Sequence, residues 1–376
     1  MKHLQYPINL IVDLHALGGA LTGKHYYTLG LLDALSNHQM ARHIQFHLVS
    51  TTTLPSITID NATWHYFSKL QYYPKLSLLT KTLPNARLLS PTSFIPPLTS
   101  FCPTITIVYD TASITPQSFA RNQKARVLES LLISHVLKQA AHVVTISQAV
   151  AQELAQVNKM ATAKLLVIYP LFRDFPKPDL KDIESMHLNP NGYFLYIGTL
   201  EPRKNLVNLI AAYAEFLRHT NKLNPPKLVI AGQKGWHYTD IFAAINTEAL
   251  RKMIVIIDSP TDRQLSGLYT YCLCFCYASH YEGFGMPVLE AMSFSKAVLT
   301  SDSAVFNEVA GSSAIYVDQS SVVSITQGLQ ELYENDSLRH QLESHTKNQV
   351  KKLDQSEQMN QFIYSLLGTR DTNAVK

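Results

Sequence analysis

Residues Glu282–Glu290 of this 376-residue chain read Glu-Gly-Phe-Gly-Met-Pro-Val-Leu-Glu, which sets two carboxylates eight positions apart across a glycine loop and the start of a helix. Gly283 and Gly285 remove side chains where a backbone could approach a ligand closely, and Pro287 has the fixed φ and missing N–H that suit a first helical position. Val288, Leu289, Ala291 and Met292 then read as an apolar helix, which puts Glu290 in its first turn and Glu282 at the loop mouth. Free amides at such a helix start favour an anion. Carboxylates beside them suit sugar hydroxyls, as the acidic residue of a dinucleotide site holds a ribose. The same spacing is compatible with a plain turn and a glutamate that complements the helix dipole, so this loop does not decide function alone.

Two further loops bear on the choice. Gly198-Thr199-Leu200-Glu201-Pro202-Arg203-Lys204-Asn205 places two cations just before a helix that Asn205 could cap. Adjacent cations at the positive end of a helix repel each other and the dipole unless an anion sits there, although paired basic residues are also common on solvated surfaces. Gly18 to Gly23, after the first strand, offers backbone amides to a phosphate or sugar, or makes a tight turn. Together the loops fit a nucleotide-sugar site: cations for a diphosphate, one carboxylate for a ribose, the other for sugar hydroxyls, and glycines for close approach.

These loops need strands to hold them. Apolar runs predict strands at Ile8–Val12, Ile44–Val49, Ile105–Val108, His142–Ile146 and Leu165–Ile168 in the first half. The second half predicts Tyr193–Ile197, Lys227–Ala231, Ile254–Ile257, Cys272–Tyr277, Ala297–Thr300 and Ala314–Val317. Helical spacing lies between them, as in Tyr26–Leu35, Lys124–Gln139 and the Leu206, Leu209, Ile210, Tyr213, Leu217 series, with Ser147 and Thr261 as cap candidates. Strand and helix alternation in both halves predicts an α/β protein of two doubly wound parallel sheets, with ligand between them at the carboxyl ends of the strands. Three prolines in Tyr169–Pro178 mark the connector, and helices are expected at Ser321–Glu334, Ser337–Leu353 and Met359–Leu367 before a frayed Asn373–Lys376.

Composition narrows the class. The chain is 46% hydrophobic, and 32 Lys and Arg against 28 Asp and Glu give a net charge of +4, too small to demand nucleic acid as a partner but suited to an anionic substrate or a membrane surface. The N-terminus lacks the apolar core of a signal peptide, and no uncharged run approaches the ~18 residues of a membrane span, so a cytoplasmic protein with peripheral membrane contact is expected. Cys272, Cys274 and Cys276 alternate as on one face of a strand, without the paired spacing of a zinc site; neither metal nor disulfide is expected.

Phe194-Leu195-Tyr196-Ile197-Gly198-Thr199-Leu200-Glu201-Pro202-Arg203-Lys204-Asn205-Leu206 and His280–Met292, with Phe306-Asn307-Glu308-Val309-Ala310-Gly311, resemble the retaining glycosyltransferases of family four. Leu21-Thr22-Gly23, Val143–Ser147 and Val167–Pro170 extend the resemblance over the first half. It implies a GT-B fold: an acceptor-side domain over 1–170, a donor domain over 171–357, and a last helix in 358–376 crossing back to the first domain. By motif match, Arg203 and Lys204 would neutralise the donor diphosphate, Glu282 would bind sugar hydroxyls and Glu290 the ribose. Gly283, Phe284, Gly285 and Met286 would orient sugar and phosphate, and Gly23, Gly198, Thr199 and Gly232 would line the donor site. Asp110 joins Glu282, Lys204 and Arg203 as a catalytic candidate. The resemblance further implies transfer with retention and without metal or other cofactor. The donor would be a nucleotide diphosphate sugar, GDP-mannose first and a UDP-sugar next, and the acceptor a glycan or lipid-linked glycan of surface polysaccharide synthesis. Two departures stand out: Tyr109 where His is usual before Asp110, and Thr199 where Arg is frequent after Gly198. They leave a scaffold subunit as a rival, beside a GT-B nucleotide-sugar epimerase.

Overall fold

The computed structural model describes residues 7–17, 23–54, 57–60, 62–91, 99–112, 123–157, 164–220 and 223–368. Gly18 to Thr22 of the first glycine loop and Asn373–Lys376 lie outside them. The chain divides into two compact units, one of residues 1–171 with 354–376 and one of 172–353.

The first unit carries a seven-stranded parallel sheet of β1 (Ile8–Asp13), β2 (Ile44–Ser50), β3 (Thr63–Tyr66), β4 (Ala86–Ser90), β5 (Thr104–Val108), β6 (His142–Thr145) and β7 (Leu165–Val167) in the order β3-β2-β1-β4-β5-β6-β7. Strands β3 and β4 have no counterpart in the expected list. β3 is an edge strand whose Thr-Trp-His-Tyr is only partly buried, and β4 begins with Ala86 and Arg87, so neither presents a long apolar run. The helix Ser356–Leu367 completes this unit by burying Met359, Phe362, Ile363, Leu366 and Leu367. It starts three residues earlier than its apolar residues suggest, because Asp354 accepts a hydrogen bond from the Ser356 amide at 2.9 Å and sets the first turn there.

The second unit repeats the plan with β8 (Tyr193–Ile197), β9 (Lys227–Ala231), β10 (Ile254–Ile257), β11 (Cys274–Tyr277), β12 (Val298–Ser301) and β13 (Ala314–Val317), parallel in the order β10-β9-β8-β11-β12-β13. The order reverses between β8 and β11, the place where the following loops diverge and an open parallel sheet accepts a ligand. Cys272 caps the preceding helix instead of starting β11, so only Cys274 and Cys276 share a strand face; all four cysteines of the chain are free. In the helix Leu206–His219 the core side is closed by Phe216 and not by Leu217. The Thr261 and Gln264 capping box forms in both directions, and Ser147 accepts from the Val150 amide at 3.1 Å.

Where the loops after β8 and β9 leave the sheet, their backbones nearly touch. A Cβ on Gly232 would lie 2.0 Å from the Gly198 carbonyl oxygen, a distance no side chain tolerates. Gly232→Ala is therefore expected to lower stability by about 2 kcal/mol or more, seen as a fall in urea midpoint. An unchanged midpoint would mean the two loops separate freely.

Candidate active site

The loop after β8 turns through a short 3-10 helix, Pro202–Lys204, that aims Arg203 and Lys204 toward the loop after β11. Lys204 Nζ donates to Glu282 Oε1 at 2.6 Å and to the Tyr277 hydroxyl at 2.8 Å, and that hydroxyl donates to the same Glu282 oxygen at 3.1 Å. Arg203 spans two carboxylates. Its Nη2 and Nε donate to Glu201 Oε1 at 2.9 and 3.2 Å, and its Nη1 donates to Glu282 Oε2 at 3.1 Å and to the Tyr281 carbonyl at 2.9 Å. The anion that the paired cations require is thus supplied by the protein itself.

Burial alone would push the Glu282 carboxyl up, but Arg203 and Lys204 outweigh it and hold the group below its ordinary value. Burial works against the charge on Lys204 and lowers its pKa, and the facing carboxylate offsets only part of that. The side chains are nearly sealed, at 10% exposure for Lys204 and 9% for Glu282, so water screens the pair weakly. Beneath it Tyr196 stacks on Tyr277 with ring centroids 5.5 Å apart. Asn205 does not cap the helix that follows. It sits at φ 59°, and its side-chain amide donates to the carbonyls of Ala278 and Gln319 at 2.8 and 2.7 Å, tying the cation turn to the end of β11.

Beyond Glu282, Gly285 takes φ 90° ahead of the helix Met286–Ser293, and a Cβ there would meet the Phe306 ring at 2.7 Å. Met286 is the first helical residue and Pro287 the second, which moves Glu290 out of the first turn to the fifth helical position. Phe284 is buried, so its side chain serves packing and only its backbone faces the loop. Glu290 is 9% exposed and accepts a hydrogen bond from the Tyr269 hydroxyl at 2.7 Å, beside Phe294, whose ring stacks on Tyr269. Burial raises the Glu290 carboxyl to about 7, against smaller downward pulls from Tyr269 and Arg173.

Gly198, Thr199 and Gly232 lie at the ends of β8 and β9 in this same unit, with Thr199 exposed. Asp110 and Gly23 belong to the first unit. Asp110 Oδ1 accepts from the Ala112 amide at 3.2 Å, and Gly23 is the exposed first residue of the helix Gly23–Asn37. Tyr109 is buried, hydrogen-bonded to the Thr28 hydroxyl at 3.0 Å and packed edge-on against Tyr27, which gives it a core role of its own. Sequence reasoning missed Glu201, Tyr269 and Tyr277. Tyr277 was the most accessible of the three, since it closes the apolar run five residues before Glu282. Among the described residues, no three His, Cys, Asp or Glu side chains group as a metal site would require.

Residues 182–349 match the family model described as glycosyl transferases group 1. The second unit is a glycosyl transferases group 1 domain. The chain is 28% identical to O-antigen chain mannosyltransferase B of Escherichia coli over 240 residues, spanning 62%, less than two thirds, of each chain. It is 25% identical to O-antigen chain mannosyltransferase RfbU of Salmonella typhimurium over 327 residues, 82% of this chain and 86% of the relative. Among solved structures, sucrose-phosphate synthase from Thermosynechococcus elongatus matches with a TM-score of 0.74 at 15% identity, covering 97% of this chain and 100% of that one. Anabaena HepE in complex with UDP and glucose matches with a TM-score of 0.74 at 17% identity, over 96% and 99%. These likenesses establish the GT-B fold class.

Two outcomes follow for the glycosyl transferase unit. Glu282→Ala strands Lys204 and half of the Arg203 pairing and should lower unfolding free energy by about 3–5 kcal/mol, measured by urea titration. A loss below about 1 kcal/mol would mark the cluster as solvent-screened. Glu290 protonates near pH 7 when folded and near 4.5 when unfolded, so between those values the folded chain holds a proton that the unfolded chain has released. Stability contributed at this position therefore falls as pH rises from 4.5 through 7. Glu290→Gln should remove that fall, gaining about 3 kcal/mol on the parent between pH 5 and pH 8. A gain that is the same at both pH values would refute the raised carboxyl.

Proposed function

We propose that the chain is a retaining, metal-independent hexosyltransferase. It would move mannose from GDP-mannose onto a glycan or lipid-linked glycan in surface polysaccharide synthesis. The observation that carries this reading is the Lys204, Arg203 and Glu282 cluster, set beside the glycine-initiated helix at the switch point of a glycosyl transferase unit. Both curated relatives described above bear mannosyltransferase names, which supports the sugar and the polysaccharide setting.

In this reading the donor diphosphate competes with Glu282 and Glu201 for the two cations. Lys204 and Arg203 then neutralise the charge that grows on the diphosphate as the anomeric bond breaks, and a preorganised cation is most effective where water is excluded. Glu282, released from its pairing, accepts hydrogen bonds from the sugar hydroxyls, and Glu290 takes those of the ribose. The acceptor hydroxyl attacks from the face the diphosphate leaves, and a phosphate oxygen receives its proton. No enzymic nucleophile and no metal are required, because both roles fall to the donor phosphate and the protein cations. Among the described residues no helix is long and apolar enough to cross a membrane.

GDP-mannose should raise the thermal midpoint more than UDP-glucose, since a ligand at a hundred times its Kd adds about 2.7 kcal/mol to the folded state. Lys204→Ala should cut mannosyl transfer by about 10²-fold or more. A shift with UDP-sugars alone would reassign the donor. No shift with any nucleotide sugar, or full transfer by Lys204→Ala, would defeat the reading.

A further inference from the structure

The charge of the chain is unevenly spread. Residues 1–171 hold 13 Lys and Arg against 6 Asp and Glu, whereas residues 172–376 hold 19 against 22. The longest gap lies between Asp60 and Asp110, where no acidic residue occurs and Lys69, Lys75, Lys81 and Arg87 do. This stretch contains the helix Tyr72–Thr82, whose inner side is accounted for by Tyr72 and Leu76, packed against Ile11, Val49 and Leu88 of the first sheet. Its outer side carries Lys75, Leu78 and Lys81 at three-residue spacing, all exposed.

Large apolar side chains accompany those lysines in solvent. Leu70 is 94% exposed, Leu78 58% and Phe101 67%. Phe101 is held along the helix, with its amide donating to Thr80 Oγ1 at 3.0 Å and its ring 5.5 Å from Lys81 Nζ. Single exposed leucines are ordinary on soluble proteins. Here Leu78 lies between Lys75 and Lys81 on the outer side of the helix, Phe101 is held beside Lys81, Leu70 stands two residues ahead of the helix, and no carboxylate of the same stretch is present to neutralise the lysines. That pattern matches an interfacial element, in which apolar side chains enter the acyl boundary while lysine ammonium groups meet lipid phosphates.

We infer that the outer side of Tyr72–Thr82, with Leu70 and Phe101, docks on a bilayer surface rich in anionic lipid. The inference deepens the reading of a lipid-linked acceptor by naming the face that would meet the membrane, and it rests on that reading only for its purpose. Charge complementarity selects the occupant: a zwitterionic surface would leave Lys69, Lys75 and Lys81 without net counter-charge, and an anionic polymer would leave Leu70, Leu78 and Phe101 in water.

The test is sedimentation of the full chain with vesicles of phosphatidylglycerol and phosphatidylcholine in equal parts, against vesicles of phosphatidylcholine alone. Wild type should bind the anionic vesicles and not the neutral ones. Lys75→Glu with Lys81→Glu should weaken partitioning by about tenfold or more at low salt. Leu78→Ser with Phe101→Ser should leave binding that about 0.5 M salt abolishes, because only the screened charge term remains. Unchanged thermal midpoints and unchanged transfer to a soluble acceptor would show that both double variants are folded. Equal binding to both vesicle types, binding unmoved by either pair, or capture by heparin with no vesicle binding would overturn the inference. Failure of transfer in wild type alongside normal vesicle binding would count against the enzyme reading and leave this surface standing.

Discussion

One carboxylate organises the glycosyl transferase unit. Glu282 is nearly sealed where a carboxyl would ordinarily be driven neutral, and it stays below its ordinary pKa because Arg203 and Lys204 face it from a neighbouring loop. Everything nearby is arranged around that pairing. The 3-10 turn aims the cations, Asn205 fastens the turn to the end of β11, and Tyr277 shares its hydroxyl between acid and base. The His280 amide also donates to the Arg203 carbonyl at 2.9 Å, so the two loops are joined through backbone as well as charge. Such a cluster contributes little net stability compared with an apolar filling of the same volume, but removal of one member is costly. Its use lies in readiness, because the cations are positioned before a phosphate arrives.

The same economy governs Glu290, with the opposite electrostatic sign. No cation reaches it closely enough to offset burial, and its carboxyl is pushed up to about 7. Two glutamates eight positions apart thus occupy different electrical environments, one held charged by neighbours and one poised between forms by their distance. A ligand that brings hydroxyl donors to Glu290 would favour its charged form, whereas a diphosphate reaching Lys204 would remove the partners that keep Glu282 charged.

The loops of the site were legible because their glycines, cations and carboxylates sit at fixed offsets from apolar strands, and β8 and β9 lie where the runs Tyr193–Ile197 and Lys227–Ala231 predicted them. Details that depend on what a side chain meets across the fold were not. Asn205 reads as a cap in sequence, yet its amide is taken by carbonyls of Ala278 and Gln319, and the latter is 114 positions away. Arg203 and Lys204 read as waiting for a ligand, but Glu201 and Glu282 already hold them. Strand β4 escaped because a short segment containing Arg87 gains its place from pairing with β1 and β5 and not from its own composition. Pro287 moved by one helical position because Gly285, in a left-handed conformation, starts the helix at Met286.

The helix Ser356–Leu367 has a consequence for how the polypeptide is made. It belongs to the first unit, where Asn360 is hydrogen-bonded to His38 at 2.8 Å and Ser365 to His142 at 2.8 Å, yet it is encoded after the whole of 172–353. At a ribosomal rate of about 5–20 residues per second, the first sheet waits roughly ten to forty seconds between the emergence of β7 and the arrival of the helix that completes it. All six strands of the glycosyl transferase unit emerge within that interval. The first unit, begun earlier, therefore cannot be completed before the whole of the second has been synthesised.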